Sequence, residues 1–231
     1  MIHFKILTIF PELFPGPLAT SVTGSALTKN LWSFEAINIR YYAQDERGTV
    51  DDTPYGGGAG MVFKADVIAD AIEANLQNKK TKIFYLSPRG KVFNQKKAQE
   101  LAKEEEIIFL CGRYEGVDQR ALDEFEIEEI SIGDYVLSGG ELAAYIVIDA
   151  ILRNVTGVLG ADESLSEESF GSKENSEFEN LLEYPHFTRP ANWRGRAVPE
   201  ILISGHHKKI NEWRKQQAIE LTKKNRPDLI R

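Results

Sequence analysis

The sequence predicts an α/β domain built on a mainly parallel sheet, followed by a small, mostly helical C-terminal domain. Short apolar runs alternate with helix-spaced segments as far as residue 154. Three loops rich in glycine and polar groups follow such runs: LSPRGK, CGRYEG and IGDYVLSGGE. An acidic, polar stretch then separates this part from a basic end.

Residues 3–10 (HFKILTIF) read as a buried first strand, closed by Pro11 and the FPGP turn signals. Residues 18–32 have helix-compatible spacing, and residues 35–42 (EAINIRYY) alternate as a strand does. A long glycine-rich loop covers residues 43–61, and a helix is expected over 65–77. Residues 82–86 (KIFYL) predict a strand ended by Ser87 and Pro88. A helix over 95–104, a strand over 107–111 (IIFLC) and a helix over 117–125 follow. A strand over 127–132 and a helix over 140–154 complete the alternation. In parallel α/β sheets ligands sit beyond the carboxyl ends of the strands. The three loops are therefore expected to converge on one site.

Residues 162–180 hold seven acidic residues and one lysine among Ser, Gly and Asn. So little apolar content predicts a flexible linker. Residues 207–224 read as an amphipathic helix marked by Ile210, Trp213, Ile219 and Leu221. The expected organisation is a cofactor-binding α/β domain over 1–160, an acidic linker over 161–180 and a helical domain over 181–231.

Bulk properties narrow the class. Hydrophobic content of 42% and charged content of 27% are those of a soluble globular protein. The apolar run 142–148 stops at Asp149, short of a membrane span. The start, MIHFKILTIFPE, lacks the cleavage pattern of a signal peptide. One cysteine, Cys111, excludes an intramolecular disulfide and fits the cytoplasm. Net charge is −7, yet residues 184–231 carry 11 Lys/Arg against 4 Asp/Glu, leaving 17 against 31 in the rest. That asymmetry suggests a basic arm seeking phosphates; two oppositely charged solvated faces explain it as well.

The run PYGGGAGM has neither the Gly-Lys-Ser/Thr ending of a P-loop nor a dinucleotide fingerprint. The four histidines, His3, His186, His206 and His207, form no helical i, i+4 pair and there is no second cysteine, so no transition-metal site is legible. The sequence leaves magnesium open as an assistant and identifies no ligand set for it. Cys111 reads as a small core hydrophobe. What remains is a glycine-rich site with the carboxylates Glu115, Asp134 and Glu141, suited to an uncharged or cationic ligand bearing an aromatic base. Glu141 also reads as a first-turn residue complementing a helix dipole.

The motifs YLSPRG, CGRYEG, SIGDYVLSGGE, GVLG, ESF, PHFTRP and GHHKKINEWR, with TVDDTPYGGGAGM before them, resemble those of the bacterial tRNA (guanine-N1)-methyltransferase family. That family belongs to the SPOUT superfamily of knotted methyltransferases. The resemblance spans nearly the whole chain. It implies methyl transfer from S-adenosylmethionine to N1 of guanosine 37 in tRNA, beside the anticodon. It also implies a deep trefoil knot and a homodimer whose active sites are shared between chains. Knots are nearly absent among proteins, so periodicity alone does not suggest one.

By the same resemblance, cofactor contacts come from Tyr85, Leu86, Ser87 and Pro88, and from Gly112, Tyr114, Glu115 and Gly116. The third loop adds Ile132, Gly133, Asp134, Tyr135, Val136, Leu137, Gly139 and Gly140. Gly58 falls in the matching glycine-rich segment and is expected on the substrate side. Arg153 matches the arginine credited with stabilising charge at guanine O6. Glu168 stands where the family places an aspartate before Ser-Phe, as the base at N1, with Glu167 its neighbour and competitor. The stretch 171–180 is longer than the family linker, and Phe187 stands where tyrosine is common.

Unpaired RNA bases are read by stacking on aromatic and arginine planes. The C-terminal domain offers Arg189, Trp193, Arg194, Arg196, Lys208, Lys209, Trp213 and Arg214. Of these, Arg189, Lys208, Lys209 and Arg214 are expected to contact tRNA, the lysines through phosphates. Two other readings stay open from sequence: an RNA-binding regulator that senses S-adenosylmethionine, and a methyltransferase acting on another RNA base.

Overall fold

The computed structural model describes residues 1–159, 168–170 and 178–230. The chain divides into two compact units, Met1–Leu159 and Gly160–Arg231.

The first unit is built on five strands: β1 (Ile2–Thr8), β2 (Trp32–Asn38), β5 (Lys82–Val92), β6 (Glu106–Leu110) and β7 (Glu128–Ser131). They lie in the order β2-β1-β6-β5-β7, and every neighbouring pair is parallel. A parallel strand buried on both faces reads as a continuous apolar run, which is why IIFL and KIFYL show no polar alternation. Successive residues feed two cores. Phe4, Ile6, Phe84 and Phe109 pack on one face under α1 (Ser21–Thr28), α3 (Gln95–Leu101) and α5 (Gly140–Leu152). Leu7, Ile83, Tyr85, Ile108 and Leu110 pack on the other under α2 (Ala65–Asn75) and α4 (Gln119–Glu124). A short antiparallel ladder, β3 (Asp51–Asp52) with β4 (Val62–Phe63), closes the base of the glycine-rich loop.

Three sequence expectations are corrected. The helix expected over 18–32 is confined to α1, because Asn30 takes a left-handed φ of 56° and the chain ends the helix there. Its amide and that of Leu31 donate to the carbonyls of Leu27 and Ala26, the reciprocal bonds of a Schellman stop. The released Trp32 is then buried in β2 beside Phe4, its indole donating to the Thr23 carbonyl at 2.9 Å. The strand expected over 35–42 therefore starts earlier and ends at Asn38, whose side chain accepts from the Arg40 amide and turns the chain into a 3-10 segment, Ile39–Tyr42. Finally, Ser87 and Pro88 do not end β5. Its pairing with β7 jumps from Leu86 to Lys91, both opposite Ile130, so the intervening residues bulge and the strand resumes.

The second unit contains the hairpin β8 (Asn192–Trp193) and β9 (Arg196–Ala197), then α6 (Glu200–Ile203) and α7 (His207–Asn225). The helix expected over 207–224 is α7. Ala218 and Thr222 form its buried stripe, and the Thr222 hydroxyl accepts from the Leu182 amide at 2.8 Å. Most of the expected acidic linker, with Glu167, lies outside the described residues.

Candidate functional site

Beyond the carboxyl ends of β5, β6 and β7 lies a hollow of about 280 Å³. Each wall follows from local chemistry. After β6 the chain turns through Gly112, Tyr114 at φ 58° and Gly116 at φ 129°. The Glu115 amide donates to the Met61 carbonyl and the Phe63 amide to that of Gly116, tying this turn to the glycine-rich loop. After β7, the Ser131 hydroxyl accepts from the Gly133 amide and bends the chain at once. The Gly140 amide then donates to the Gly112 carbonyl at 2.9 Å, fastening the start of α5 to the second loop.

Glycine is required where these loops meet. A Cβ on Gly140 would lie 2.8 Å from Cys111 Cα, and one on Gly112 would lie 2.6 Å from the Tyr85 ring. The backbone itself therefore lines the space, offering amides and carbonyls.

Of the sixteen residues expected to bind a cofactor, all but Asp134 line this hollow. Asp134 is exposed and outside it, whereas its neighbours Gly133 and Tyr135 line it. Glu141 is a second correction. It is buried, with its carboxylate accepting from the Thr8 hydroxyl at 2.7 Å and pairing with Arg113 at 2.9 Å, so it organises the site rather than facing a ligand. Arg89, Arg113 and Ser138 also line the hollow. They were legible only as members of the same motifs. Burial raises the Tyr85 phenol above its ordinary value and holds the Cys111 thiol well above its own, the latter aided by the Glu141 charge.

The charge of the lining bears on whether it suits S-adenosylmethionine, the donor of methyl groups that the motifs imply. The two cations of the lining are already matched, Arg89 by Glu129 and Arg113 by Glu141, both at 2.9 Å. Among the described residues no lysine lines the space and both lining arginines are paired, whereas an adenosine with a cationic sulfonium chain meets backbone polar groups and the rim carboxylate of Glu115. The residues fit that group. Among the described residues no cluster of His, Cys, Asp or Glu could hold a metal ion.

The other expected site residues lie elsewhere. Arg153 caps the far end of α5, about 20 Å from Gly140 at the helical rise, beside a second hollow of about 260 Å³ that also includes Thr20 and Asp149. Gly58 is exposed at φ 118°. In the second unit Glu168 is half-buried, next to Ser169, whose hydroxyl accepts from the Glu183 amide at 3.0 Å. Arg189, Lys208 and Lys209 are exposed, whereas Arg214 is half-buried with its guanidinium 4.9 Å above the Tyr184 ring.

Three loops at the carboxyl edge of a parallel sheet, with backbone lining and paired arginines, define an α/β protein with a small-ligand pocket at the position such folds use. The family model described as tRNA (Guanine-1)-methyltransferase TrmD matches residues 2–231. Relatives named tRNA (guanine-N(1)-)-methyltransferase align along nearly the whole chain. The Rhodospirillum rubrum protein is 54% identical over 224 residues, covering 97% of this chain and 90% of that one. The Wolbachia pipientis wMel protein is 51% identical over 229 residues, covering 99% and 95%. The Rickettsia akari protein is 49% identical over 232 residues, covering 100% and 98%. The chain belongs to the tRNA (guanine-1)-methyltransferase family.

Proposed function

We propose that this protein transfers a methyl group from S-adenosylmethionine to N1 of guanosine 37 in tRNA, beside the anticodon, in the cytoplasm. The observation that carries this reading is the hollow lined by backbone, in which both arginines are already paired with glutamates. When bound, S-adenosylmethionine supplies an electrophilic methyl on sulfur. The three loops would hold it, the glycines leaving room for it against the backbone and the Glu115 carboxylate at the rim supplying a negative charge for its sulfonium.

Guanine N1 is a poor nucleophile until its proton leaves. Glu168 takes that proton while N1 bonds to the methyl carbon and the bond to sulfur breaks. Arg153 stabilises the negative charge that develops at O6. A base acts only within hydrogen-bond reach of the proton it removes.

The length of α5 supports a homodimer with shared sites. The hollow lies at its first residue and Arg153 just past its last, so in one chain they stand at opposite ends. Leu142 and Ile146, 55% and 49% exposed, lie one turn apart on its outer face, and Asp149 and Arg153 continue that line. Packing this face antiparallel against a second copy would bring each Arg153 to the other hollow. The bulge of β5 and its return beside β7 are read as part of a deep trefoil knot.

Labelled S-adenosylmethionine with tRNA transcripts bearing guanosine or adenosine at position 37 tests the reading. Label confined to the guanosine transcript is expected. Label in neither, or in both equally, would overturn it.

A further inference from the structure

We propose that the tip of the β8–β9 hairpin is a stacking platform for an unpaired base of the tRNA other than the methylated guanine, an inference that rests on the tRNA reading above. Trp32 is buried, and Trp213 is half-buried with its ring 6.2 Å from Phe187. Trp193 is different. It is 55% exposed, and its ring contact is the Arg194 guanidinium, 5.0 Å above it.

The hairpin holds this pair rigidly. Trp193 pairs with Arg196 and Asn192 with Ala197, leaving Arg194 and Gly195 as a two-residue turn. Both turn residues have positive φ, 53° and 80°, the geometry that favours Asn-Gly. The Asn192 side chain accepts from the Gly195 amide at 3.0 Å, and the Val198 amide donates to the Ala191 carbonyl at 2.8 Å. An arginine therefore occupies a backbone conformation in which glycine is relaxed, and from there its guanidinium reaches the Trp193 ring. Strain of this kind is retained where a side chain has work to do.

Charge selects the occupant. Residues 184–199 contain Arg189, Arg194 and Arg196 and no acidic residue. Among the described residues, none of the three arginines has an acidic partner, whereas Arg226 is paired with Asp228. An aromatic face beside unpaired guanidinium groups matches a nucleobase with its flanking phosphates. An apolar protein partner would leave those charges unmatched. Arg196 lies opposite Trp193 on the hairpin, so they share a face, and Arg194 covers one side of the ring; the other accepts the base.

The test uses the full chain and an unmodified tRNA transcript. Trp193→Ala is expected to raise the KM for tRNA about tenfold, within the range for losing one stacked base, with little change in kcat or in S-adenosylmethionine binding. Trp193→Phe should restore most of that affinity. Arg194→Gly should weaken tRNA binding several-fold while Tm stays equal or rises, a split that a merely structural role would not produce. Saturating tRNA should quench tryptophan emission in the parent and less in Trp193→Phe. An unchanged KM in Trp193→Ala, or equal quenching in parent and Trp193→Phe, would overturn the proposal. Absence of methyl transfer in the parent would instead strike the functional reading, since the quenching comparison requires no turnover.

Discussion

Arg113 and Glu141 meet at 2.9 Å and join the loop after β6 to the first turn of α5, with the Glu141 side chain only 1% exposed. Thr8, at the end of β1, donates to the other Glu141 oxygen at 2.7 Å, and Arg113 also donates to the Ser138 carbonyl at 3.1 Å. Two walls of the hollow are thus fastened through one buried carboxylate. Removing one partner of such a pair leaves a poorly solvated charge. Glu141→Gln should lower stability by about 2–4 kcal/mol, read by urea denaturation. It should also weaken S-adenosylmethionine binding, read by calorimetry. Unchanged affinity would separate the ion pair from the site.

Gly140→Ala introduces a methyl 2.8 Å from the Cys111 backbone, which cannot swing aside as a side-chain end could. The start of α5 must shift, so S-adenosylmethionine affinity should fall at least tenfold by calorimetry. Ala at Gly57, where an added Cβ meets nothing, should leave that affinity unchanged.

Glu168→Gln should reduce single-turnover methyl transfer by orders of magnitude with cofactor affinity unaltered. Arg153→Ala should cost about 10²–10³ in rate, as for loss of one transition-state donor. Full activity of Glu168→Gln would remove it as the base.

Replacing Leu142 and Ile146 together by Glu should yield a monomer by sedimentation, folded but inactive, since both side chains lie on the outer face of α5. An active monomer would refute the shared site.

Burial holds the Cys111 thiol protonated above the ordinary cysteine value of about 8.5. Above that value the unfolded chain releases a proton that the folded chain keeps, so stability falls as pH rises, by at most about 1.4 kcal/mol per pH unit. Below it both states are protonated and the contribution is flat. Cys111→Ala should therefore show a shallower loss of Tm between about pH 9 and 10.5 than the parent. Identical slopes would argue against the raised thiol.

Much of the first unit was legible because a strand buried on both faces must be apolar throughout. IIFLC and KIFYL announced β6 and β5, and the glycines that follow marked the loops of the hollow. Helix ends were less legible. The stop at Asn30 depends on a left-handed residue that composition permits but does not demand, and the shift of Trp32 into a strand depends on Phe4 across the sheet. Ser87 and Pro88 carried a turn signal that held locally, yet β5 resumed because β7 offered a partner.

The sequence by itself determined the strand cores and the segregation of basic residues toward the C-terminal end, because apolar period and formal charge are written residue by residue. The need for glycine at Gly112 and Gly140 came instead from Tyr85 and Cys111, which the fold brings against them. Tertiary structure alone decided that Glu141 turns inward to Arg113 while Asp134 faces outward. The direction of a carboxylate is set by which counter-charge the fold delivers to it, and Arg113 arrives from another loop 28 positions away.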